Sequence, residues 1–387
     1  MFLYKNLSVP LSASKRALLS DNATVATAAI QKALKQMSGD MVNNLKSQNQ
    51  IPGFVTDLLA GLGVSLPDGA GIMDQNVTRV KTKSPNKERQ IVTESKGQFL
   101  TKSFTNHAGT REYKVYIPSS YRGERLPVTV MLHGCTQNPD DFARGTRMNA
   151  LAEEENCFVV YPAQSQSANS SKCWNWFNAM DQQREQGEPS IIAGITRQVL
   201  KDYNLDNRRV YVAGLSSGGA MAVIMGITYP DLYAAVGVHS GLPYGSAQNI
   251  SSAFAAMRRA KPVVMKKQQT FAENSKPVSV PIIVFHGDRD VTVHCSNADE
   301  LINQNVFMRE ANQIDSEVLV EKGKVPNGHN YTRTLHQDKK GHLIAEHWVI
   351  HGAGHAWSGG SQRGSYTDAK GPNASEEMMR FFRMQSH

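Results

Sequence analysis

Cysteine is sparse in this chain: 387 residues contain four, and no two of them form a C-x-x-C pair. Without that spacing a metal site is not indicated. No apolar run approaches the length of a membrane span. Lysine and arginine outnumber aspartate and glutamate by 42 to 34, a formal charge of +8. The excess is spread along the chain, with no long basic block interleaved with aromatics, so no nucleic-acid partner is expected. The N-terminus, MFLYKNLSVPLSASKRALL, lacks a continuous apolar stretch behind a basic start. No cleavable signal peptide is expected, and the sequence by itself places the protein in the cytoplasm. What remains is a globular composition, 40% hydrophobic and 20% charged. The length fits one large α/β domain with an appendage, or two ordinary domains.

Residues 1–95 read differently from the rest. Residues 22–37, NATVATAAIQKALKQM, carry Val25, Ala28, Ala29, Ala33 and Leu34 at helical spacing. Residues 52–66 form a second short amphipathic piece around Phe54, Leu58, Leu59 and Leu62. Gly, Asn, Lys and Ser dominate from 68 to 97, as in a solvated linker. The expectation for 1–95 is a helical or partly disordered arm of unknown role, followed by a catalytic domain over 96–387.

From residue 97 onward, strands alternate with helices. Segments 97–106 and 113–118 alternate apolar and polar residues like an antiparallel hairpin. The run PVTVMLH (127–133) is apolar throughout, as in a strand buried on both faces. A helix is expected over 140–154, a buried strand over 157–161, and a helix over 191–203. Strands 234–239, 281–286 and 342–351 continue the series. The pattern predicts an α/β fold with a mostly parallel sheet and helices on both faces. In such sheets the site gathers at the carboxyl ends of the strands.

One stretch is placed there with particular force. Residues 208–229, RRVYVAGLSSGGAMAVIMGITY, give a β-branched run, a Gly/Ser-rich turn and a small-residue helix. Gly214-Leu215-Ser216-Ser217-Gly218 is a G-x-S-x-G between strand and helix, the setting of a nucleophile elbow. Register selects Ser216, because Ser217 would need glycine at 215, where leucine stands.

A serine hydroxyl needs a base. Of twelve histidines, His355 in HGAGHAW follows the last expected strand on a glycine-flexed loop, whereas His351 ends that strand and is expected to point into the fold. The acid should follow the preceding strand, where HGDRDVTV offers Asp288 and Asp290. The spacing H-G-x-x-D-x-x-V favours Asp290, with Asp288 as fallback. The oxyanion would take one backbone N–H from Ser217 at the helix start. The other would come from Cys135, in the loop His133-Gly134-Cys135-Thr136-Gln137. The aromatics of CWNWF (173–177) lie in a polar loop, and Trp357 neighbours His355. Trp174, Trp176 and Trp357 are therefore expected to wall a substrate groove. Cys135 and Cys173 flank segments that both approach this site, which leaves a disulfide between them open.

Six motifs occur in order: LHGCTQ, CWNWF, AGLSSGGAM, HSGLPYG, HGDRDVTV and GHAWSGG. Together, from about residue 97 to the C-terminus, they resemble the catalytic domain of poly(3-hydroxybutyrate) depolymerase-type esterases, a family that includes feruloyl- and acetylxylan-esterase-like members. The resemblance implies an α/β-hydrolase fold with Ser216, Asp290 and His355 as triad. It also implies hydrolysis of hydroxyalkanoate polyester or a related ester without a cofactor, and an extracellular setting. Secreted members carry a substrate-binding domain after the catalytic one. Here a plausible final helix, GPNASEEMMRFFRMQSH, closes the chain, so oligomers or small esters are favoured over insoluble polymer. Feruloyl or acetyl esters are the alternative substrates, and a non-catalytic binding protein on the same fold is the alternative of another class. A peptidase of prolyl-oligopeptidase type would share the triad order, but no blade-like repeats are present.

Overall fold

A computed structural model describes residues 96–262, 280–310 and 316–387. They fall within one compact unit, Pro85–His387. The arm expected over 1–95, with its two amphipathic segments, lies outside the described residues.

The frame is a ten-stranded sheet. A hairpin of β1 (Gln98–Asn106) and β2 (Gly109–Ile117) forms one edge. Next come β4 (Phe158–Pro162), β3 (Val128–Leu132), β5 (Val210–Leu215), β6 (Ala235–His239), β7 (Ile282–Gly287) and β10 (Leu343–Ile350). Those six run parallel to one another. A second antiparallel hairpin, β8 (Ser316–Lys324) with β9 (Asn330–Asp338), completes the sheet beyond β10. Strands β3 to β7 are buried at every residue, which is why their sequences are mainly apolar and show no alternation.

Helices cover both faces. On one side β-sheet residues such as Val130, Val212 and Val284 pack with α3 (Gly187–Asp202) and α4 (Ser217–Thr228). On the other, Met131, Ala213 and Phe285 pack with α1 (Pro139–Thr146), α2 (Met148–Glu155) and α7 (Ala374–Arg383). Between α4 and α7 come α5 (Ile250–Arg258) and α6 (Ser296–Glu310). This is the α/β-hydrolase fold. Two details differ from the sequence reading. The helix expected over 140–154 is broken at Arg147, which sits at φ 57° and both ends α1 and starts α2. The β8–β9 hairpin is not among the strands expected from the sequence. Among the described residues, no helix is long and apolar enough to cross a membrane.

Candidate active site

Because β3, β5, β7 and β10 are parallel, the loops that follow them open on the same edge of the sheet. Ser216 follows β5 directly, at φ 57° and ψ −119°, and leads into α4. The elbow explains its glycines. A Cβ on Gly214 would strike the backbone of Gly218, and one on Gly218 would strike the carbonyl oxygens of Leu132 and His133. Helix and neighbouring strand thus approach too closely for any side chain at those two positions. The Ser216 hydroxyl has no hydrogen-bond partner among the described residues.

Asp290 lies just past β7 and is buried. Its Oδ1 accepts the N–H groups of Thr292 (2.9 Å) and Val293 (2.8 Å). Its Oδ2 accepts from His355 Nδ1 at 2.7 Å, and His286 Nε2 stands 3.3 Å away. Burial alone would raise this carboxyl. The charge of His355 and the hydrogen bonds from His286 and His355 outweigh it and hold the group far below the usual carboxylate range. Since Nδ1 of His355 donates to Asp290, Nε2 is the nitrogen left to accept a proton.

Asp288 serves a separate pair. It accepts from His351 Nδ1 at 2.9 Å and from the Gly352 N–H at 2.7 Å. The His351 side chain is 42% exposed, so it does not point into the fold as expected. The turn it pins precedes the His355 loop.

His239, at the end of β6, joins Ser216 to the loop that carries His355. Its carbonyl accepts the Ser216 N–H at 2.9 Å, and its Nε2 accepts the Ser358 N–H at 3.0 Å. The ring is stacked between Phe285 and Trp357. Burial, then the charges of His286 and His355, push its pKa down to about 3. A neutral ring with Nε2 as acceptor must carry its hydrogen on Nδ1, facing Ser240 Oγ at 3.1 Å.

The loop after β3 is tied down from several directions. Cys135 is bonded to Cys173. The Ser217 hydroxyl lies 3.4 Å from Cys135 Sγ and donates to it, since the disulfide sulfur has no hydrogen to give. The Gly134 N–H donates to Gln137 Oε1 at 3.0 Å, and the Thr136 N–H to the Ser171 carbonyl at 2.7 Å. The backbone N–H groups of Cys135 and Ser217 have no acceptor among the described residues, on neighbouring segments beside Ser216. His133 beneath them is neutral, with burial pushing it down to about 4. Its Nε2 accepts the Gln164 N–H at 3.1 Å. Among the described residues, no three His, Cys, Asp or Glu side chains are grouped to hold a metal ion.

The family model described as esterase PHB depolymerase matches residues 111–325, more than half of the chain. The chain belongs to this esterase family. Poly(3-hydroxyalkanoate) depolymerase C of Paucimonas lemoignei is 30% identical over 263 residues, covering 65% of this chain and 60% of that protein. A probable acetylxylan esterase A of Aspergillus fumigatus is 33% identical over 155 residues, 40% of each chain. The chain thus spans between 40% and 60% of the length of these relatives. Among solved structures, the acetyl xylan esterase from Aspergillus awamori shares the fold, with a TM-score of 0.57 at 20% identity over 74% of this chain and 99% of that one.

For this member of the esterase family, the aromatic wall needs correction. Trp174 is 1% exposed, Trp176 6% and Trp357 0%. Trp174 donates its indole N–H to the His133 carbonyl at 3.0 Å, so the ring lies under the Cys135 loop as a support. Trp176 packs edge-on to Phe177 in the main core. Trp357 donates to Ser375 Oγ and meets Phe142 and His239 in the opposite core. A polar loop that folds back under a disulfide buries its aromatics, and each indole found there has room only among its neighbours. Trp174→Ala is therefore expected to cost about 3–5 kcal/mol of stability and to depress short and long esters alike. Urea denaturation beside kcat/KM on acetate and long-chain esters checks this. A stable variant impaired only on long esters would put the ring at the substrate.

The sequence reading missed the support residues. Glu188, buried in α3, accepts the Asn175 N–H at 2.7 Å and Asn175 Nδ2 at 2.8 Å, holding the CWNWF loop. Burial, then the charge of Asp181, pushes its carboxyl up to about 7. His286 and His239 sat inside the quoted motifs, but nothing local marks which strand-end histidine will face an acid or a backbone N–H.

Proposed function

We propose that the protein is a serine esterase acting through an acyl-enzyme, with hydroxyalkanoate esters as substrates. The observation that carries this reading is the His355–Asp290 hydrogen bond of 2.7 Å, at the strand edge that also bears the Ser216 elbow. In the proposed cycle, His355 Nε2 takes the Ser216 proton as Oγ attacks the ester carbonyl. The tetrahedral oxyanion receives the N–H groups of Cys135 and Ser217, near the start of α4, whose dipole favours negative charge. His355 then gives its proton to the leaving alcohol, and water repeats the sequence on the acyl-Ser216 ester. Asp290 stays ionised throughout and keeps the Nδ1–H of His355 in place.

The poly(3-hydroxyalkanoate) depolymerase relative supports the choice of acyl group. The acetylxylan esterase relative supports a second reading with the same chemistry on acetyl or feruloyl esters of polysaccharide. A panel of hydroxybutyrate oligomers, methyl ferulate and acetylated xylan tests both. The expected result is the highest kcat/KM on hydroxybutyrate oligomers. Preference for acetylated xylan or ferulate would replace the first reading with the second.

A further inference from the structure

With the tryptophans buried, an aromatic ring that stays exposed beside the loops of the candidate site is Tyr366. It lies on the turn that follows the His355 loop and is 38% exposed. Its carbonyl accepts the Trp357 N–H at 2.7 Å, two residues from His355. Its hydroxyl meets Thr136 Oγ1 at 3.2 Å. Thr136 follows Cys135, and a Cβ on Gly134 would stand 3.6 Å from Ser216 Cβ, so the loop that carries Thr136 passes beside Ser216. The ring therefore spans from the histidine loop to the loop bearing a proposed oxyanion donor.

Hydrogen-bond arithmetic adds a second point. Two hydroxyls bring two O–H groups, and one is used in the bond between them. Neither oxygen has another partner among the described residues, so one O–H remains free to donate. Thr136, Lys172 and Tyr366 all hold left-handed backbone conformations, at φ 66°, 52° and 52°. Thr136 and Tyr366 meet through their hydroxyls, and the Thr136 N–H is anchored on Ser171, next to Lys172. Non-glycine residues in that region are uncommon and concentrate at functional sites. The Gln137 side chain braces the arrangement, donating to Asp141 and to the Ser365 carbonyl.

We propose that Tyr366 and Thr136 form a subsite that binds the ester unit next to the scissile bond, the ring packing on its aliphatic carbons and the free O–H donating to its carbonyl oxygen. This rests on the esterase reading above and adds what selects an extended substrate over a short one. A repeating polyester offers both a short aliphatic segment and a carbonyl acceptor in every unit, which matches a ring and a donor side by side.

The test compares kcat/KM on hydroxybutyrate trimer with that on p-nitrophenyl acetate for wild type, Tyr366→Ala, Tyr366→Phe and Thr136→Val. Loss of the ring should lower the trimer-to-acetate ratio by about 10-fold or more, chiefly through KM. Removing one hydroxyl while keeping the ring leaves the other O–H without the partner that orients it, and should lower the ratio by a smaller factor, roughly 3- to 10-fold. Equal losses on both substrates would mean that Tyr366 only supports the His355 loop, and an unchanged ratio would mean that the chain runs elsewhere; either overturns the subsite. A wild type that hydrolyses acetate but not the trimer contradicts the hydroxyalkanoate reading instead. The same comparison on methyl ferulate then decides the subsite, with a lowered ferulate-to-acetate ratio retaining it and an unchanged one overturning it.

Discussion

Ser216→Ala is expected to abolish ester hydrolysis, with turnover falling on the order of 10⁴-fold or more, while the protein stays folded. The fold should survive because the Ser216 side chain has no hydrogen-bond partner among the described residues, and the elbow is shaped by Gly214 and Gly218. Ser217→Ala is the matched control. Its hydroxyl donates to Cys135 Sγ, a weak acceptor, and the N–H assigned to the oxyanion is on the backbone. Turnover should stay within about 10-fold of wild type, since a single neutral hydrogen bond contributes only about 1 kcal/mol. Steady-state kinetics with circular dichroism on both variants reads the result. Ser217→Ala as the inactive variant would reverse the assignment of the nucleophile.

The second large effect belongs to Asp290→Asn, with an expected loss on the order of 10³–10⁴-fold in kcat. The geometry supplies the reason. Two backbone N–H groups, from Thr292 and Val293, face one carboxylate oxygen. An amide at this position keeps its oxygen towards them and turns its NH₂ towards His355. The imidazole must then accept at Nδ1 and carry its proton on Nε2, the tautomer that cannot deprotonate Ser216. The same NH₂ would face the Nε2–H of His286, which already donates to the Val293 carbonyl at 2.8 Å, so some stability should go as well. Asp288→Asn perturbs only the exposed pair with His351 and the Gly352 turn. Its loss should stay within roughly 10-fold, the scale of a surface pair. Similar losses in the two variants would mean that the whole turn, and not one carboxylate, orients His355.

Much of this site was legible because its signals are local. The elbow needs glycine at 214 and 218 for contacts made within one βα unit and with the adjacent strand end. The buried strands are short, mainly apolar runs, so the sequence alone puts the loops after the expected strands 127–133, 281–286 and 342–351, and after the elbow strand, on one edge of the sheet. Asp290 and His355 follow from strand order.

What escaped depends on contacts distant in sequence. No window around Trp174 shows that its indole will reach the His133 carbonyl 41 residues earlier, and aromatic rings in a polar loop look the same whether the loop lies over the site or folds beneath it. The β8–β9 hairpin was overlooked for a related reason. Its strands are mixed apolar and charged, with Val318, Leu319 and Val320 all exposed, so the buried-run signal that found the central strands is missing. Tyr366 carries no signal of its own and becomes visible only through its bond to Thr136, 230 residues away.

The proposed nucleophile is Ser216 Oγ, and labelling with a fluorophosphonate followed by peptide mass mapping tests it most directly. The expected result is one stoichiometric adduct, on Ser216 in the AGLSSGGAM peptide, with ester hydrolysis lost in proportion to labelling and no adduct on the Ser216→Ala variant. An adduct on Ser217 or elsewhere, or full hydrolysis by a protein that takes no label, would contradict it.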